Sequence, residues 1–278
     1  MNYSTLIDAP QLQALLTQGT DWVLIDCRFD LADTQAGEQA YTEGHLPGAI
    51  YAHLDRDLSA AKTGRNGRHP LPDRAAFARC VGQWGVTPST QVVAYDAQGG
   101  MYAARLWWMM RDLGHEAVAV LNGGLSAYAG TLTSSAPTAR TCPSYPIGKS
   151  LQSQLNAEQL LTRLGRCRLV DARAGERFRG EVEPLDTQAG HIPGASNRNF
   201  KDNLRPDGRF KSAAQLAAEW MPLLAPYKPQ EVVHQCGSGV TACHNLLALE
   251  YAGLGGSILY PGSWSEWSSD PTKPVAKG

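Results

Sequence analysis

The sequence has no excess of basic residues, no long hydrophobic run and no paired-cysteine motif. Its 25 basic and 26 acidic residues give a net charge of −1, so we expect no basic face for nucleic acid or an acidic membrane surface. No apolar run approaches the roughly 18 residues that a membrane span needs. The six cysteines follow neither a disulfide pattern nor the CxxC spacing of zinc sites.

The N-terminal stretch MNYSTLIDAPQLQALL lacks a basic start, a long apolar stretch and a small-residue cleavage site. We therefore expect no secretory signal, and unpaired cysteines favour a reducing, cytoplasmic location. Hydrophobic residues make up 43% of the chain and charged residues 18%, which predicts a substantial core rather than disorder.

Four pairs of segments recur along the chain in the same order. They are VLIDCR with RLVDAR, EGHLPGAI with AGHIPGAS, VVAYDAQGGMYAARLWW with VVHQCGSGVTACHNLLA, and LNGGLSAY with YPGSWSEW. Four matches in register indicate two homologous halves. The predicted domains are residues 1–129 and 153–278, and a Ser-, Thr- and Pro-rich linker is predicted over 130–152.

Short β-branched runs alternate with helical patterns in both halves. Asp73 and Ser212 are predicted N-caps of amphipathic helices over 73–85 and 212–224. The pattern indicates two tandem α/β domains, each a mostly parallel sheet with helices on both faces. Strands are predicted at 22–26, 92–96, 117–121, 167–171, 231–235 and 256–260.

The stretch VVHQCGSGVTACHNLL places Cys236 between an apolar run and a glycine-bearing turn that leads into a helix. Ligands of parallel sheets bind at the carboxyl ends of strands. The backbone N–H groups of such a turn and the helix N-terminus both favour an anion, so Cys236 is a candidate thiolate nucleophile. Cysteine is also a common buried residue, and a structural corner is the alternative.

The two halves differ at this position, because Asp96 in the first half aligns with Cys236 in the second. A purely structural turn has little reason to differ in this way, although drift after duplication could also produce the change. Cys243 and the remaining cysteines are predicted to be structural. Ala242 stands where a cysteine phosphatase would carry its arginine, which disfavours phosphate chemistry.

CGSGVTAC closely resembles the active-site loop of mercaptopyruvate sulfurtransferases within the two-domain rhodanese family, and GHLPGA, GHIPGA and GSWSEW resemble further motifs of that family. The resemblance covers roughly residues 4–270. It implies two tandem rhodanese-like domains, a catalytically silent first half, and no cofactor, since a persulfide on Cys236 carries the sulfur. His45 and His191, duplicated in the two GH-x-PG turns, are expected to hold those turns.

The resemblance also implies site residues. Ser238 would act with His69 and Asp55 of the first half, and a polar relay of this kind can protonate the departing enolpyruvate. Gly237, Gly239, Val240 and Thr241 would line the donor.

Arg177 in ERFRGE matches a family arginine that binds the donor carboxylate, and arginine suits this role because its fork matches two oxygens. Arg179 is a further candidate. Where the family carries a second substrate arginine, this sequence has Leu185 and Asp186. Arg173 or Arg179 could compensate.

Three functions stay open from the sequence. The first is transfer of sulfur from 3-mercaptopyruvate to a thiol or cyanide. The second is thiosulfate sulfurtransfer, which the uncharged Gly237 and Ser238 disfavour because thiosulfate enzymes resemble CRKGVT, with basic residues in the loop. The third is a persulfide carrier for a partner protein. Small-molecule donors and acceptors, and a thioredoxin-like reductant, are the expected partners; nucleic acid, membranes and metals are not.

Overall fold

The computed structural model describes residues 2–17, 21–138 and 142–278. The chain forms two compact units. The first comprises Met1–Ala60, Pro72–Leu151 and Pro206–Phe210, and the second comprises Ala61–Leu71, Gln152–Arg205 and Lys211–Gly278. The predicted linker lies over 130–152, of which residues 139–141 are outside the described residues. The segment Ala61–Leu71, which contains His69, clusters with the second unit.

The first unit is built on a five-stranded parallel sheet of order β1-β5-β4-β2-β3. Its strands are β1 (Leu6–Ile7), β2 (Trp22–Asp26), β3 (Ile50–Tyr51), β4 (Gln91–Tyr95) and β5 (Val118–Leu121). The central strand β4 is buried along its whole length, as expected of a strand covered on both faces.

The second unit repeats this architecture, with a parallel sheet of order β6-β10-β9-β7-β8. Its strands are β6 (Ser153–Gln154), β7 (Arg168–Asp171), β8 (Ala195–Asn197), β9 (Val232–Gln235) and β10 (Ile258–Leu259). Because the two sheets have the same strand order, the predicted duplication is confirmed at the level of topology.

Helices flank both sheets. They are α1 (Ala9–Thr17), α2 (Ala36–Glu43), α3 (Arg74–Gln83), α4 (Ala103–Asp112), α5 (Ala157–Leu161), α6 (Gly175–Phe178), α7 (Ala213–Leu224), α8 (Thr241–Tyr251) and α9 (Ser263–Trp267). Helices α4 and α8, which follow the central strands β4 and β9, are buried along most of their length. Within the described ranges, no helix is long and apolar enough to cross a membrane.

Both predicted N-caps are confirmed. The side chain of Asp73 accepts a hydrogen bond from the N–H of Ala76 at 2.7 Å and so begins α3. Ser212 begins α7 with a capping box, in which its Oγ accepts from the N–H of Gln215 and the Gln215 side chain accepts from the N–H of Ser212. These bonds satisfy backbone donors that a helix start otherwise leaves unpaired.

Replacing Ser212 by alanine should lower the free energy of unfolding by about 1 kcal/mol, the usual cost of losing an N-cap. Ser212 is exposed, so no core packing is lost with it. Urea unfolding monitored by circular dichroism measures the change, and an unfolding midpoint equal to that of the parent would contradict it.

Candidate active site

Cys236 follows β9, the central strand of the second sheet, and α8 begins five residues later at Thr241. The thiol is 2% exposed, and its Sγ accepts a hydrogen bond from the N–H of Gly239 at 3.2 Å. Among the described residues no other N–H donates to this sulfur, so of the turn's backbone N–H groups expected to favour an anion, one reaches it. Val240 is buried and Thr241 half-buried where the loop enters α8.

Gly239 gives the loop its shape. Its φ is +77°, and a Cβ at this position would lie 2.2 Å from the carbonyl oxygen of Pro261. Only glycine combines that backbone conformation with such a close approach. Gly239, whose N–H donates to the sulfur, therefore cannot be replaced by any other residue unless the backbone moves.

The GSWSEW stretch holds the loop from the other side. The N–H of Cys236 donates to Ser263 Oγ at 3.1 Å, and the N–H groups of Trp264 and Ser265 donate to the carbonyls of Cys236 and Gly237 at 3.0 and 2.9 Å. These bonds fix the two peptide groups next to the thiol. The sequence indicated this motif through the internal repeat and through the family resemblance; its hydrogen bonds to the loop come from the structure.

Ser238 and His69 meet in the second unit. Ser238 Oγ lies 2.7 Å from His69 Nδ1, and both side chains are buried. The segment Ala61–Leu71 reaches this place because the N–H of Arg68 donates to Ser265 Oγ at 3.0 Å. The structure thus brings His69 to Ser238, two residues along the loop from Cys236.

Asp55, the third predicted member of this set, belongs to the first unit. It lies in the turn after β3, where its backbone N–H donates to His53 Nδ1 at 3.1 Å. Its role beside His69 stays a prediction.

Two arginines lie beside the loop at Gly237. A Cβ on Gly237 would lie 2.9 Å from Arg68 Nη2 and 3.4 Å from Arg177 Nη1. Arg177 also donates to Glu183 Oε1 at 2.6 Å and to Asp186 Oδ2 at 3.2 Å, and Arg68 donates to the other oxygen of Asp186. The sequence predicted Arg177 but missed Arg68, whose only signal was its place next to His69 in GRHPLP.

The first half carries a comparable turn with a carboxylate in place of the thiol. Asp96 follows the central strand β4 and is fully buried. One oxygen accepts from the N–H groups of Gln98 and Gly100 at 2.9 and 2.8 Å, and the other from those of Tyr102 and Ala103 at 2.9 and 3.0 Å.

Burial raises the pKa of Asp96, and the four N–H groups oppose that rise. All four donors are satisfied only by the carboxylate form, since both oxygens act as acceptors. This turn of the fold is thus an anion-binding turn.

Comparison with known proteins agrees with this geometry. The family described as Rhodanese-like domain matches residues 8–131 and 156–270, which is most of both halves. The chain belongs to this family. The characteristic activity of the family is sulfur transfer, and the relatives below are named accordingly.

Curated relatives fall under two names. A Pseudomonas aeruginosa protein named as a probable 3-mercaptopyruvate sulfurtransferase is 45% identical over 100% of both chains. A Mycobacterium tuberculosis protein named as a putative thiosulfate sulfurtransferase, SseB, is 39% identical over 98% of this chain and 97% of its own.

Among solved structures, the 3-mercaptopyruvate sulfurtransferase from Leishmania major has a TM-score of 0.84 to this chain. It is 31% identical over 95% of this chain and 74% of its own.

Arg179 and Arg173 of this rhodanese-family chain make bonds away from the Cys236 loop. Arg179 is half exposed, and its guanidinium donates to Glu181 at 2.7 and 3.0 Å. Arg173 is buried, pairs with Asp171 at 2.7 Å and donates to the carbonyl of Gly190 at 2.8 Å.

The first rhodanese half repeats the Arg173 arrangement. Arg28 pairs there with Asp26 and donates to the carbonyl of Gly44. A duplicated role indicates that Arg173 stabilises the GH-x-PG turn, and neither Arg173 nor Arg179 is placed as the second arginine beside Gly237.

The duplicated histidines have equivalent bonds in both rhodanese halves. His45 Nδ1 lies 2.8 Å from the carbonyl of Tyr41, and His191 Nδ1 lies 2.8 Å from that of Phe178. Each ring stacks on the aromatic side chain of the same residue at 3.9 Å between centroids. Such contacts support the expectation that these histidines hold the turns.

The other cysteines differ from Cys236 in their surroundings. Burial raises the pKa of the Cys27 thiol, and it raises that of Cys80 to about 12 and that of Cys167 above its usual value. Cys243 donates its S–H to the carbonyl of Gly239 at 3.3 Å. The thiols of Cys27, Cys80 and Cys167 are therefore unsuited to act as nucleophiles, because the reactive form is the thiolate.

Proposed function

We propose that this protein transfers sulfur from 3-mercaptopyruvate to a thiol or cyanide acceptor through a persulfide on Cys236, with release of pyruvate. The observation that carries the proposal is the 2.7 Å contact between Ser238 Oγ and His69 Nδ1 beside the thiol. A carrier that only holds a persulfide needs the cysteine but no such relay. The Pseudomonas relative named for the same donor supports the assignment.

In the first stage the Cys236 thiolate attacks the sulfur of 3-mercaptopyruvate. The new Sγ–S bond forms as the C–S bond breaks, and the electron pair of that bond leaves as the enolate of pyruvate. The enolate must take up a proton, which Ser238 would deliver with the help of His69. Asp55 would hold His69 in the required tautomer.

In the second stage a thiol or cyanide attacks the outer sulfur of the persulfide. That sulfur leaves with the acceptor, and the Cys236 thiolate is regenerated with the electron pair of the broken S–S bond. The chain's own cysteine carries the sulfur throughout. A thioredoxin-like reductant in the cytoplasm would be a suitable acceptor.

The donor carboxylate would bind to Arg177, whose Nη1 faces Gly237. Gly237, Gly239, Val240 and Thr241 would then surround the donor sulfur next to Cys236. Arg179 is a further candidate for binding the donor carboxylate, although its hydrogen bonds go to Glu181.

Thiosulfate is the second candidate donor, and one observation favours it. The loop itself carries no charge at Gly237 and Ser238, but Arg68 and Arg177 place two guanidinium groups at Gly237. A dianion could use both of them. The Mycobacterium relative named for thiosulfate supports this alternative.

A side-by-side steady-state assay tests the donor. The purified protein is given 3-mercaptopyruvate or thiosulfate with cyanide as acceptor, and a Cys236→Ser preparation serves as the blank. We expect kcat/KM to favour mercaptopyruvate by about tenfold or more, the effect of roughly one well-used interaction in the transition state. A ratio that favours thiosulfate would reject the assignment.

Ser238→Ala should lower kcat with 3-mercaptopyruvate about a hundredfold, the lower end of what general acid–base groups contribute. The loss with thiosulfate should be much smaller, because sulfite leaves without needing a proton on carbon. Stopped assays for pyruvate and for thiocyanate on the same preparation measure both. Equal losses with both donors would show that Ser238 shapes the loop rather than serving the departing enolate.

A further inference from the structure

We propose that Arg68 is the second cation of the donor site, with Arg177, and that Asp186 holds the two guanidinium groups together until an anionic donor takes its place. The inference rests on the proposed function for the identity of the donor. It does not require that the donor be mercaptopyruvate rather than thiosulfate, since both are anions.

The first observation is convergence. Arg68 Nη2 and Arg177 Nη1 both lie within 3.4 Å of the position that a Cβ of Gly237 would take, at 2.9 and 3.4 Å. The residues come from segments more than a hundred positions apart, yet both guanidinium groups face the residue that follows Cys236. An anion bound by them would lie beside the thiol.

The second observation is unused hydrogen-bonding capacity. In the described part of the chain, Arg68 Nη2 and Arg177 Nη1 have no acceptor, although Arg68 Nη1 and Arg177 Nη2 are both occupied by carboxylates. The buried Nε atoms of both arginines also have no partner there. Buried donors without acceptors are costly. A bound anion would supply the acceptors that these guanidinium groups lack.

The third observation is the position of Asp186. Its side chain is 4% exposed, and its two oxygens accept from Arg68 and Arg177. Burial raises the pKa of this carboxyl, against the lowering effect of Arg68. Asp186 stands in the stretch where the resemblance led us to expect an arginine. The cation missing from that stretch is instead present at Arg68.

The segment around Arg68 is positioned for this role. The N–H of Arg68 donates to Ser265 Oγ, and a Cβ on Gly67 would lie 2.9 Å from the carbonyl of Gly262. The same segment supplies His69 to Ser238. The segment Ala61–Leu71 would thus supply two groups to the site. Arg68 would bind the anionic group of the donor, and His69 would assist protonation of the departing enolate through Ser238.

Alkylation of Cys236 by iodoacetate and by iodoacetamide tests the proposal without any sulfur donor. The two reagents are similar in size and differ in charge, so the ratio of their rates reports on cations beside the thiol. We expect Arg68→Gln to lower the iodoacetate-to-iodoacetamide ratio about tenfold, the effect of one charge-assisted hydrogen bond. Mass spectrometry of the peptide that contains Cys236 measures both rates.

Arg65→Gln is the matched control, because it removes the same charge three residues away at an exposed position. It should leave the ratio within about twofold, since an exposed charge at that distance is screened by solvent and salt. A ratio that falls equally in Arg68→Gln and Arg65→Gln, or in neither, would overturn the proposal.

Asp186→Asn provides an independent test in the opposite direction. Asparagine keeps an oxygen that accepts from a guanidinium but removes the competing charge, so the iodoacetate-to-iodoacetamide ratio should rise. An unchanged or lower ratio would refute the role given to Asp186.

Steady-state kinetics separate this proposal from the proposed function. Arg68→Gln should raise KM for the anionic donor more than it lowers kcat. If 3-mercaptopyruvate is not turned over but the alkylation ratio still depends on Arg68, the donor assignment fails and the anion site stands. If turnover is normal in Arg68→Gln and the ratio is unchanged, the donor assignment stands and the role of Arg68 is refuted.

Discussion

Cys236→Ser should abolish sulfur transfer with every donor. A serine hydroxyl at the same position can neither attack sulfur as a thiolate does nor hold the transferred atom as a persulfide. Pyruvate release from 3-mercaptopyruvate and thiocyanate formation from cyanide are the two measurements. Incubation with donor alone should add the mass of one sulfur atom to the peptide that contains Cys236.

Cys243→Ser is the matched control for this experiment. Cys243 is buried in the first turn of α8 and donates to the carbonyl of Gly239 at 3.3 Å. A serine hydroxyl can make the same hydrogen bond, so activity should be largely retained. A persulfide found on Cys243, or pyruvate release that survives in Cys236→Ser, would contradict the assignment of the nucleophile.

Gly239→Ala should reduce kcat/KM about a thousandfold, because it displaces the backbone N–H that donates to the Cys236 sulfur. Loss of one hydrogen-bond donor to a catalytic anion lowers kcat by a factor of roughly 10²–10³. The new methyl group would lie 2.2 Å from the carbonyl oxygen of Pro261. The loop must move to relieve that contact, and the N–H now 3.2 Å from Cys236 Sγ moves with it.

Gly253→Ala separates the clash from backbone strain. Gly253 has a φ of +76°, nearly that of Gly239, but nothing lies within 4 Å of its would-be Cβ. Both variants bear a strain of about 1 kcal/mol from the left-handed conformation, and only Gly239→Ala bears the clash. We expect Gly253→Ala to lose stability in thermal unfolding but to keep its activity. Equal activity losses in the two variants would show that strain, not loop geometry, is responsible.

The core of the fold was predictable because its signals are local. The central strands β4 and β9 each contain two consecutive valines, and the caps Asp73 and Ser212 follow from residue types at fixed spacing. The strands at or near the sheet edges, such as β1 (Leu6–Ile7) and β6 (Ser153–Gln154), have only two residues. Two residues are too few to show a periodic pattern, so these strands could not be predicted.

Only those site residues that belong to a sequence motif could be predicted. Cys236 stands out because a thiol precedes a glycine-bearing turn and a helix. Arg68 does not stand out, because it approaches Gly237 and Asp186 only in the folded protein. The segment that carries Arg68 packs against residues more than a hundred positions away in the sequence. The two oxygens of Asp186 that hold Arg68 and Arg177 are likewise a product of tertiary structure.

The turn at Asp96 bears on where a transferred sulfur would lie. The carboxylate oxygens of aspartate stand two bonds beyond Cβ, and so does the outer atom of a cysteine persulfide, whereas a resting thiolate stands one bond beyond. In the first half, four N–H groups meet at that outer position.

In the second half, among the residues that the structure describes, one N–H donates at the inner position, from Gly239 to Cys236 Sγ. We therefore expect a second-half loop of the same shape to stabilise the outer sulfur of the proposed persulfide more than the thiolate. If the proposed mechanism holds, Asp96 keeps an oxygen permanently at the position that the outer sulfur of a Cys236 persulfide would fill once in each turnover.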